Sequence, residues 1–274
     1  MALRTDGFQG GGLALPALTP VVKLLLIVNL GVFLALYFTF TASPTAAGSA
    51  IGWLGVSAGT WFEGPVYLPM WQLFTYGWLH DVHGFGHILW NMLQLYFFGT
   101  LLESLLGGRR FLALYIGGLL AAGLASLLLG LTLGTGTVIG ASGAILAVLV
   151  ALATMQPNTP VILLFIPVPL KWLAIGLVAI DAFGLFQEII GRSSGTAHGA
   201  HLAGAVLGFV AVRRHWVWID PVEALERRKR RRESARQVDD ERRLDALLAR
   251  IHREGIDALD SADREFLKRM SKRP

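Results

Sequence analysis

The chain has 274 residues, of which 54% are hydrophobic and only 16% charged, and it contains no cysteine. This composition excludes a disordered or collagen-like chain, and the missing cysteines exclude a disulfide scaffold, thiolate metal sites and cysteine nucleophiles. The formal net charge is +5, but 16 of the 24 Lys and Arg residues and 13 of the 19 Asp and Glu residues lie in the last 60 positions. The sequence therefore divides into an apolar part and a charged tail.

Six apolar stretches in the first 214 residues have the length needed to cross about 30 Å of hydrocarbon. They are residues 21–40, 87–103, 111–129, 138–154, 172–190 and 196–212. The first lacks a short charged leader and a small-residue cleavage site, so we expect a retained helix rather than a signal peptide. The predicted fold class is an all-α membrane protein with a bundle of six transmembrane helices. Its expected parts are a cytoplasmic leader at 1–20, a membrane domain at 21–214 and a basic cytoplasmic tail with short helices at 215–274.

The distribution of Lys and Arg predicts the orientation, because these residues accumulate on the cytoplasmic side. Residues 43–86 and 132–137 contain neither, and we place them outside. Basic residues mark the opposite helix ends: Arg109, Arg110, Lys171, Arg213 and Arg214. Both termini are then cytoplasmic, and Arg192 is the one exception. The six Trp and Tyr residues of 43–86 indicate partly helical structure at headgroup depth, or equally a simple aromatic belt.

Polar side chains interrupt three of the predicted helices, each time near the start. The second begins His87-Ile-Leu-Trp-Asn91, the fourth contains Gly140-Ala-Ser142-Gly143, and the sixth contains His198-Gly-Ala-His201. These three helices run in the same direction, so the polar groups lie at a similar depth and can meet. Gly204 and Gly208 follow His201 at helical spacing, and this small face allows a neighbouring backbone to approach closely.

Ser142 and His201 are a candidate nucleophile and general base, because a serine hydroxyl attacks a carbonyl only when a base takes its proton. Candidate donors to the resulting oxyanion are the His87 ring, the Asn91 amide and the Ser142 backbone N–H. We predict that these residues act around a Ser–His dyad.

No acidic residue is an evident third member of the site. Asp181 and Glu188 lie in the fifth predicted helix, but nothing in the sequence brings either of them to His201. The imidazole is then expected to be oriented by packing or by a non-acidic hydrogen bond. We interpret Asp181 as a hydrogen-bonded structural acid.

These motifs resemble those of the rhomboid intramembrane serine proteases over about residues 71–214. The resemblance rests on His87-x3-Asn91, Gly140-Ala-Ser142-Gly143 and His201-Leu-Ala-Gly204 in this order, with Glu103 before Gly107 as a further match. It implies a six-helix bundle with Ser142 as nucleophile, His201 as general base, and His87 and Asn91 around the oxyanion. It also implies substrates that are single-span membrane proteins, cut in or near the span after local helix unwinding.

Two positions depart from the pattern of that family. Gln72 stands where an arginine often follows a tryptophan, and Leu146 stands where an aromatic residue often supports the histidine ring. Neither departure removes a reacting group. Both departures affect how accurately the Ser142 hydroxyl and the His201 imidazole are positioned relative to each other.

Other functions fit the sequence less well. The imidazoles of His87, His198 and His201 could bind zinc, but there is no His-Glu-x-x-His and no acid at these helix starts, so we predict no metal and no cofactor. His198 is instead expected to line the cavity or to help bind substrate. A proteolytically silent relative that binds transmembrane helices would typically lack the serine or the histidine. A transporter would show more intramembrane acids and an inverted repeat.

The tail contains six consecutive basic residues at 227–232. We expect anionic lipid headgroups rather than nucleic acid as their partner, or equally a role as a flank that sets topology. Beyond them, apolar residues recur at helical spacing as far as Ile251, Gly255 is a stop signal, and 261–270 is a second short helix. This arrangement resembles a motif attached to some bacterial rhomboids. We expect a bacterial plasma membrane, with an organelle membrane as the alternative. The sequence does not indicate the oligomeric state.

Overall fold

The computed structural model describes residues 16–163, 166–192, 195–255 and 259–271. The chain forms two compact units, Met1–Asp220 and Pro221–Pro274. Most of the predicted leader at 1–20 lies outside the described residues.

The first unit begins with a long helix and a group of short ones. α1 (Pro20–Ala42) and α2 (Pro44–Leu54) both start at a proline, whose fixed φ suits the first helical turn, and Ser43 accepts a hydrogen bond from the Ala46 N–H at the start of α2. α3 (Ala58–Glu63), α4 (Gln72–Thr75) and a 3₁₀ turn (Tyr76–Trp78) follow. The interval 43–86 is thus partly helical, as predicted. Trp61 and Tyr76 are buried within it, so a lipid-facing belt does not account for all of its aromatic rings.

The second predicted helix is one helical stretch with a π turn inside it. It consists of α5 (Gly86–Gln94), the π turn Leu95–Gly99 and α6 (Thr100–Leu106). α7 (Gly108–Leu133) starts after Gly107, whose φ is +79°, and ends at Gly134 in the left-handed conformation that terminates many helices. The π turn begins one turn after Asn91, and such turns occur frequently at functional sites.

α8 (Ser142–Met155) starts four residues later than predicted. Val138 pairs with Val56 in an extended bridge, and Gly140 has a φ of +118°. Neither conformation is helical, so α8 cannot begin at residue 138. Two short antiparallel strands, β1 (Pro160–Leu163) and β2 (Ile166–Pro169), follow, and the all-α prediction missed them. α9 (Leu170–Ile189), α10 (His198–Arg213) and a 3₁₀ turn (Trp216–Trp218) complete the unit.

Among the described residues, α1, α7 and α9 are long and apolar enough to cross a membrane. The other three predicted spans coincide with the stretch 86–106 and with the shorter helices α8 and α10. Large apolar side chains point outward from the long helices, including Ile27, Leu30, Phe38, Leu124, Leu128, Ile180 and Phe183. Exposed apolar faces of this extent suit contact with lipid rather than water.

α8 is the centre of this unit and packs against α7, α9 and α10. Ten of its 14 residues are buried, and it carries only small or apolar side chains after Ser142 until Thr154. The burial is uniform because no face of the helix is polar. Ser142 is therefore the first residue of an extensively packed helix of this unit.

A buried carboxylate ties α1 to α6. Glu103 accepts hydrogen bonds from the Thr19 hydroxyl at 2.5 Å and from the backbone N–H groups of Val21 and Val22 at 3.0 and 2.8 Å. These N–H groups have no acceptor within α1, and the negative charge lies at the positive end of the helix dipole. Glu103 thus caps α1 from another helix.

The second unit contains α11 (Pro221–Glu254) and α12 (Ser261–Met270), in agreement with the two helices expected in the tail. Asp260 caps α12 by accepting a hydrogen bond from the Asp263 N–H at 2.7 Å. Leu247, Leu259 and Phe266 form a small buried cluster between the two helices. The Arg243 guanidinium lies over the Phe266 ring and donates to the Asp263 carboxylate at 2.8 Å.

Candidate active site

Ser142 and His201 meet at the starts of α8 and α10. The Ser142 Oγ lies 2.7 Å from the His201 Nε2, within hydrogen-bond distance. Ser142 is the first residue of α8 and His201 lies in the first turn of α10. The hydroxyl and imidazole that the sequence singled out are therefore in direct contact.

Two glycines set this distance by letting α8 and α10 approach closely. A Cβ atom on Gly204 would lie 2.0 Å from the Gly143 carbonyl oxygen, and one on Gly208 would lie 2.2 Å from the Ala147 carbonyl oxygen. No side chain fits at either position without moving a backbone. The small face predicted from the sequence is thus the contact face of the two helices.

Asp181 corrects the expectation that no acid reaches the histidine. Its Oδ1 atom lies 2.8 Å from the His201 Nδ1, on the side of the ring opposite Ser142. The imidazole is therefore oriented by a carboxylate, and the prediction of a purely non-acidic support was wrong. The sequence did contain a signal, since an acid within an apolar helix is by default a functional candidate.

His198 shares this carboxylate. Its Nδ1 lies 2.8 Å from the same Asp181 Oδ1, and its ring lies edge-on to that of His201 with centroids 6.2 Å apart. The residue is buried, and it is not among those that line the nearby cavity. The hydrogen bond to Asp181 is a contact that the sequence did not predict for His198; its predicted role in lining the cavity or binding substrate stays a prediction.

His87 lies on the other side of Ser142, across Gly140. A Cβ atom on Gly140 would lie 2.8 Å from the His87 Nε2 and 3.8 Å from the Ser142 Oγ. The Asp81 backbone N–H donates to the His87 Nδ1 at 3.4 Å, so the proton of the neutral ring is on Nε2, the atom beside Gly140. The ring thus presents a donor to the space next to the serine hydroxyl.

Asn91 is buried one turn further along α5, on the same helical face as His87. The Ser142 backbone N–H is one of the first N–H groups of α8, which have no acceptor within a helix. The positive end of the α8 dipole also lies at this point. The start of α8 is therefore suited to stabilising negative charge.

His80 and Asp81 support His87 from the loop before α5. Burial, together with repulsion from His87, lowers the pKa of His80 to about 4, and the two rings are 5.1 Å apart. Partial burial works to raise the pKa of Asp81, but hydrogen bonds from the His83 backbone and ring hold it below its usual value. His80 is thus an uncharged packing residue at neutral pH, as expected for a structural histidine.

A cavity of about 370 Å³ adjoins the site. Its wall includes Ile139, three residues before Ser142, and Ala200, directly before His201. It also includes Glu188 and residues 135–138 and 195–197. Its volume lies within the range of about 300 to 1,000 Å³ that is typical of ligand pockets.

Gln72 and Leu146, the two residues that depart from the family pattern, are both buried. The Gln72 amide donates to the carbonyl oxygens of Gly52 and Trp53 at 3.2 Å each, and it ties α4 to the end of α2. Leu146 packs in the core around α8. Gln72 therefore holds the segment that contains α2 and α4 together, and the side chain that supports His201 is Asp181 rather than a ring at position 146.

Asp181, His198 and His201 also form the set most suited to a metal ion among the described residues. Each offers one ligand atom, and the three atoms lie within 4.8 Å of one another. This is not the trio weighed from the sequence, because His87 does not belong to it. Both histidines also direct Nδ1 to the Asp181 carboxylate at 2.8 Å.

Comparison with known proteins identifies the domain that contains this site. Residues 68–216, more than half of the chain, match the rhomboid domain. The chain is 35% identical over 130 residues to "Rhomboid protein 1, mitochondrial" of Saccharomyces cerevisiae, a match that covers 45% of this chain and 36% of the yeast protein. It is 33% identical over 123 residues to "Presenilin-associated rhomboid-like protein, mitochondrial" of Rattus norvegicus, with 44% and 32% covered.

A bacterial protein gives a similar match. The "Putative rhomboid protease YdcA" of Bacillus subtilis is 33% identical over 125 residues, with 43% of this chain and 52% of that protein covered. The chain thus spans about a third of the length of the yeast and rat relatives and about half of the bacterial one. Through its matched domain, this chain is a member of the rhomboid family of multi-pass membrane proteins.

Proposed function

We propose that this protein is an intramembrane serine endopeptidase that cleaves transmembrane proteins in or near their membrane span. The observation that carries the proposal is the 2.7 Å contact between the Ser142 hydroxyl and the His201 imidazole at the starts of two short helices. The protease name of the Bacillus subtilis relative supports it.

The lengths of these helices favour a site below the membrane surface. α8 has 14 residues, a rise of about 21 Å, whereas the hydrocarbon core is about 30 Å thick. If the far end of α8 reaches one surface, Ser142 lies several ångströms below the other. Irregular backbone at that depth is tolerated only where it lines a cavity or is buried in protein. Residues 135–138 and 195–197 meet this condition because they line the cavity beside the site.

The proposed reaction uses each group at a stated atom. The Ser142 Oγ attacks the peptide carbonyl carbon while its proton passes to the His201 Nε2. The tetrahedral oxyanion accepts hydrogen bonds from the His87 Nε2–H, the Asn91 amide and the Ser142 N–H. Collapse breaks the C–N bond, and the leaving amine takes the proton from His201. Water then hydrolyses the acyl-enzyme with His201 again as base.

The organisation around the site follows from the same proposal. We infer that the six helical stretches all cross the membrane, with residues 21–214 as the membrane domain and both termini cytoplasmic. The basic residues 227–232 then lie beside the inner leaflet and bind anionic headgroups. The resemblance of the tail to that of bacterial rhomboids favours a bacterial plasma membrane, whereas the names of the yeast and rat relatives are mitochondrial. Membrane fractionation of the source cells distinguishes the two locations.

The test uses the full chain in lipid vesicles with a fluorogenic peptide that contains a transmembrane segment. Ser142→Ala and His201→Ala should each abolish cleavage and labelling by a fluorophosphonate probe. Ser104→Ala is a matched control, because this serine only bonds the Thr100 carbonyl oxygen at 2.8 Å. Cleavage that persists in Ser142→Ala refutes the proposal. A folded wild-type protein that binds the peptide without cutting it indicates a silent member of the family.

A further inference from the structure

We infer that Asp181 is a positioning residue for the proposed protease, and that His198 acts through it. Resting on the proposed function, this inference replaces the expected dyad by a chain of contacts from Ser142 through His201 and Asp181 to His198. The proton accepted from the serine stays on His201, and the carboxylate remains ionised.

The first step is the choice of tautomer. A carboxylate only accepts hydrogen bonds, so the His201 Nδ1, 2.8 Å from the Asp181 Oδ1, must carry a proton. The lone pair of the neutral ring is then on Nε2, which faces the Ser142 Oγ at 2.7 Å. In the other tautomer Nε2 would carry the proton and could not act as the base. Asp181 therefore fixes the reactive form of the ring.

The second step concerns charge. When His201 accepts the serine proton it becomes an imidazolium within 2.8 Å of a carboxylate. The side chains of His201 and Asp181 are only 18% and 10% exposed, so water screens this pair little. The carboxylate thus stabilises the charge that develops during the reaction.

The third step explains why the carboxylate points at His201. His198 donates from Nδ1 to the same Oδ1 atom, and one carboxylate oxygen has lone pairs for both donors. The His198 ring lies directly against the α9 backbone: a Cβ atom on Gly184 would lie 2.4 Å from two of its ring atoms. The imidazole of this α10 residue therefore packs on α9, the helix that carries Asp181.

The experiment measures kcat and KM of the full chain with the same transmembrane peptide, normalised to the sites that react with fluorophosphonate. We compare wild type, Asp181→Asn, Asp181→Glu, His198→Ala and the double variant Asp181→Asn with His198→Ala. Glu103→Gln is the matched control, because Glu103 is also a buried hydrogen-bonded acid but caps α1. Melting temperatures are recorded for all variants.

Asp181→Asn should lower kcat at least about a hundredfold with little change in KM, because loss of the carboxylate in a comparable triad lowers kcat by about 10⁴. His198→Ala should lower kcat about tenfold, by analogy with the loss of a hydrogen-bond partner behind a metal-ligating side chain. The double variant should be no slower than Asp181→Asn alone, since His198 acts through the acid. Glu103→Gln should lower the melting temperature but leave kcat per reactive site unchanged.

Wild-type kcat per reactive site in Asp181→Asn overturns the inference, while loss of cleavage in Ser142→Ala would still uphold the proposed function. If the loss of kcat in the double variant equals the product of the losses in the two single variants, the role of His198 is overturned. Should Asp181→Asn fail to fold, Asp181→Glu decides, because it keeps the charge but displaces the carboxylate by one methylene. Unchanged kcat in Asp181→Glu overturns the inference, and a drop in kcat at constant KM upholds it.

Discussion

Adding one methyl group at Gly204 should separate the serine from the histidine. The Cβ of Gly204→Ala would lie 2.0 Å from the Gly143 carbonyl oxygen, whereas real Cβ contacts essentially never fall below 3.0 Å. The obstacle is a helix backbone, so α8 and α10 must move apart by about 1 Å rather than a side chain turning aside. The same displacement, added to the 2.7 Å between the Ser142 Oγ and the His201 Nε2, takes the pair beyond hydrogen-bond distance.

We expect Gly204→Ala to lower kcat about a hundredfold, the effect of a misplacement of about 1 Å, and to destabilise the fold by about 1 to 3 kcal/mol. The assay is cleavage of the transmembrane fluorogenic peptide, with fluorophosphonate labelling and thermal unfolding in parallel. Gly176→Ala is the control, because a Cβ atom there meets nothing within 4 Å. Wild-type kcat and melting temperature in Gly204→Ala would refute the idea that the glycine contact sets the Ser–His distance.

Three further outcomes test other parts of the molecule. His87→Ala and Asn91→Ala should each lower kcat by about 10² to 10³ with little change in KM, as for loss of an oxyanion donor; a rise in KM alone would contradict this role. His80 lies outside the proposed spans, and its pKa of about 4 in the folded chain is below the usual value of 6.5, so the unfolded chain binds more protons between these values. The free energy of unfolding should therefore fall by roughly 3 kcal/mol as the pH drops from 6.5 to 4, and thermal unfolding of His80→Phe should show a flatter dependence. Glu188→Lys reverses the charge of a residue in the cavity wall. The rate of cleavage of a peptide with Lys near the scissile bond, relative to a peptide with Glu there, should fall about fivefold, which corresponds to about 1 kcal/mol of ion pairing. Equal rates for both peptides would exclude contact between the substrate and the Glu188 carboxylate.

The positions of the helices were predictable because apolar length is a local property of the chain. Each of the six predicted stretches overlaps a helical stretch of the structure, and the two tail helices appear on either side of the predicted stop at Gly255. The start of α8 was misplaced because Val138 and Ile139 are apolar, and only pairing with Val56 shows that this segment is extended. Strands β1 and β2 were missed because their four-residue pairing is a contact between segments rather than a periodicity.

The sequence by itself determined that Ser142 and His201 can meet, and on which helix face His201 lies. Ser142, His201 and the glycines at 204 and 208 follow from helix direction and helical spacing, both of which can be counted along the chain.

Only the tertiary structure decided which side chain contacts the His201 imidazole on the side opposite Ser142. α9 continues about 12 Å beyond Asp181, whereas α10 begins only about 4.5 Å before His201. Counting residues from these adjacent helix ends therefore places Asp181 about 7.5 Å deeper in the bundle than His201. The packing of α9 on α10 sets the two side chains at one level and adds His198 to the same carboxylate oxygen. The relative axial shift of two helices is fixed by side-chain packing and by the path of the loop between them, and neither is encoded in the periodicity of either helix.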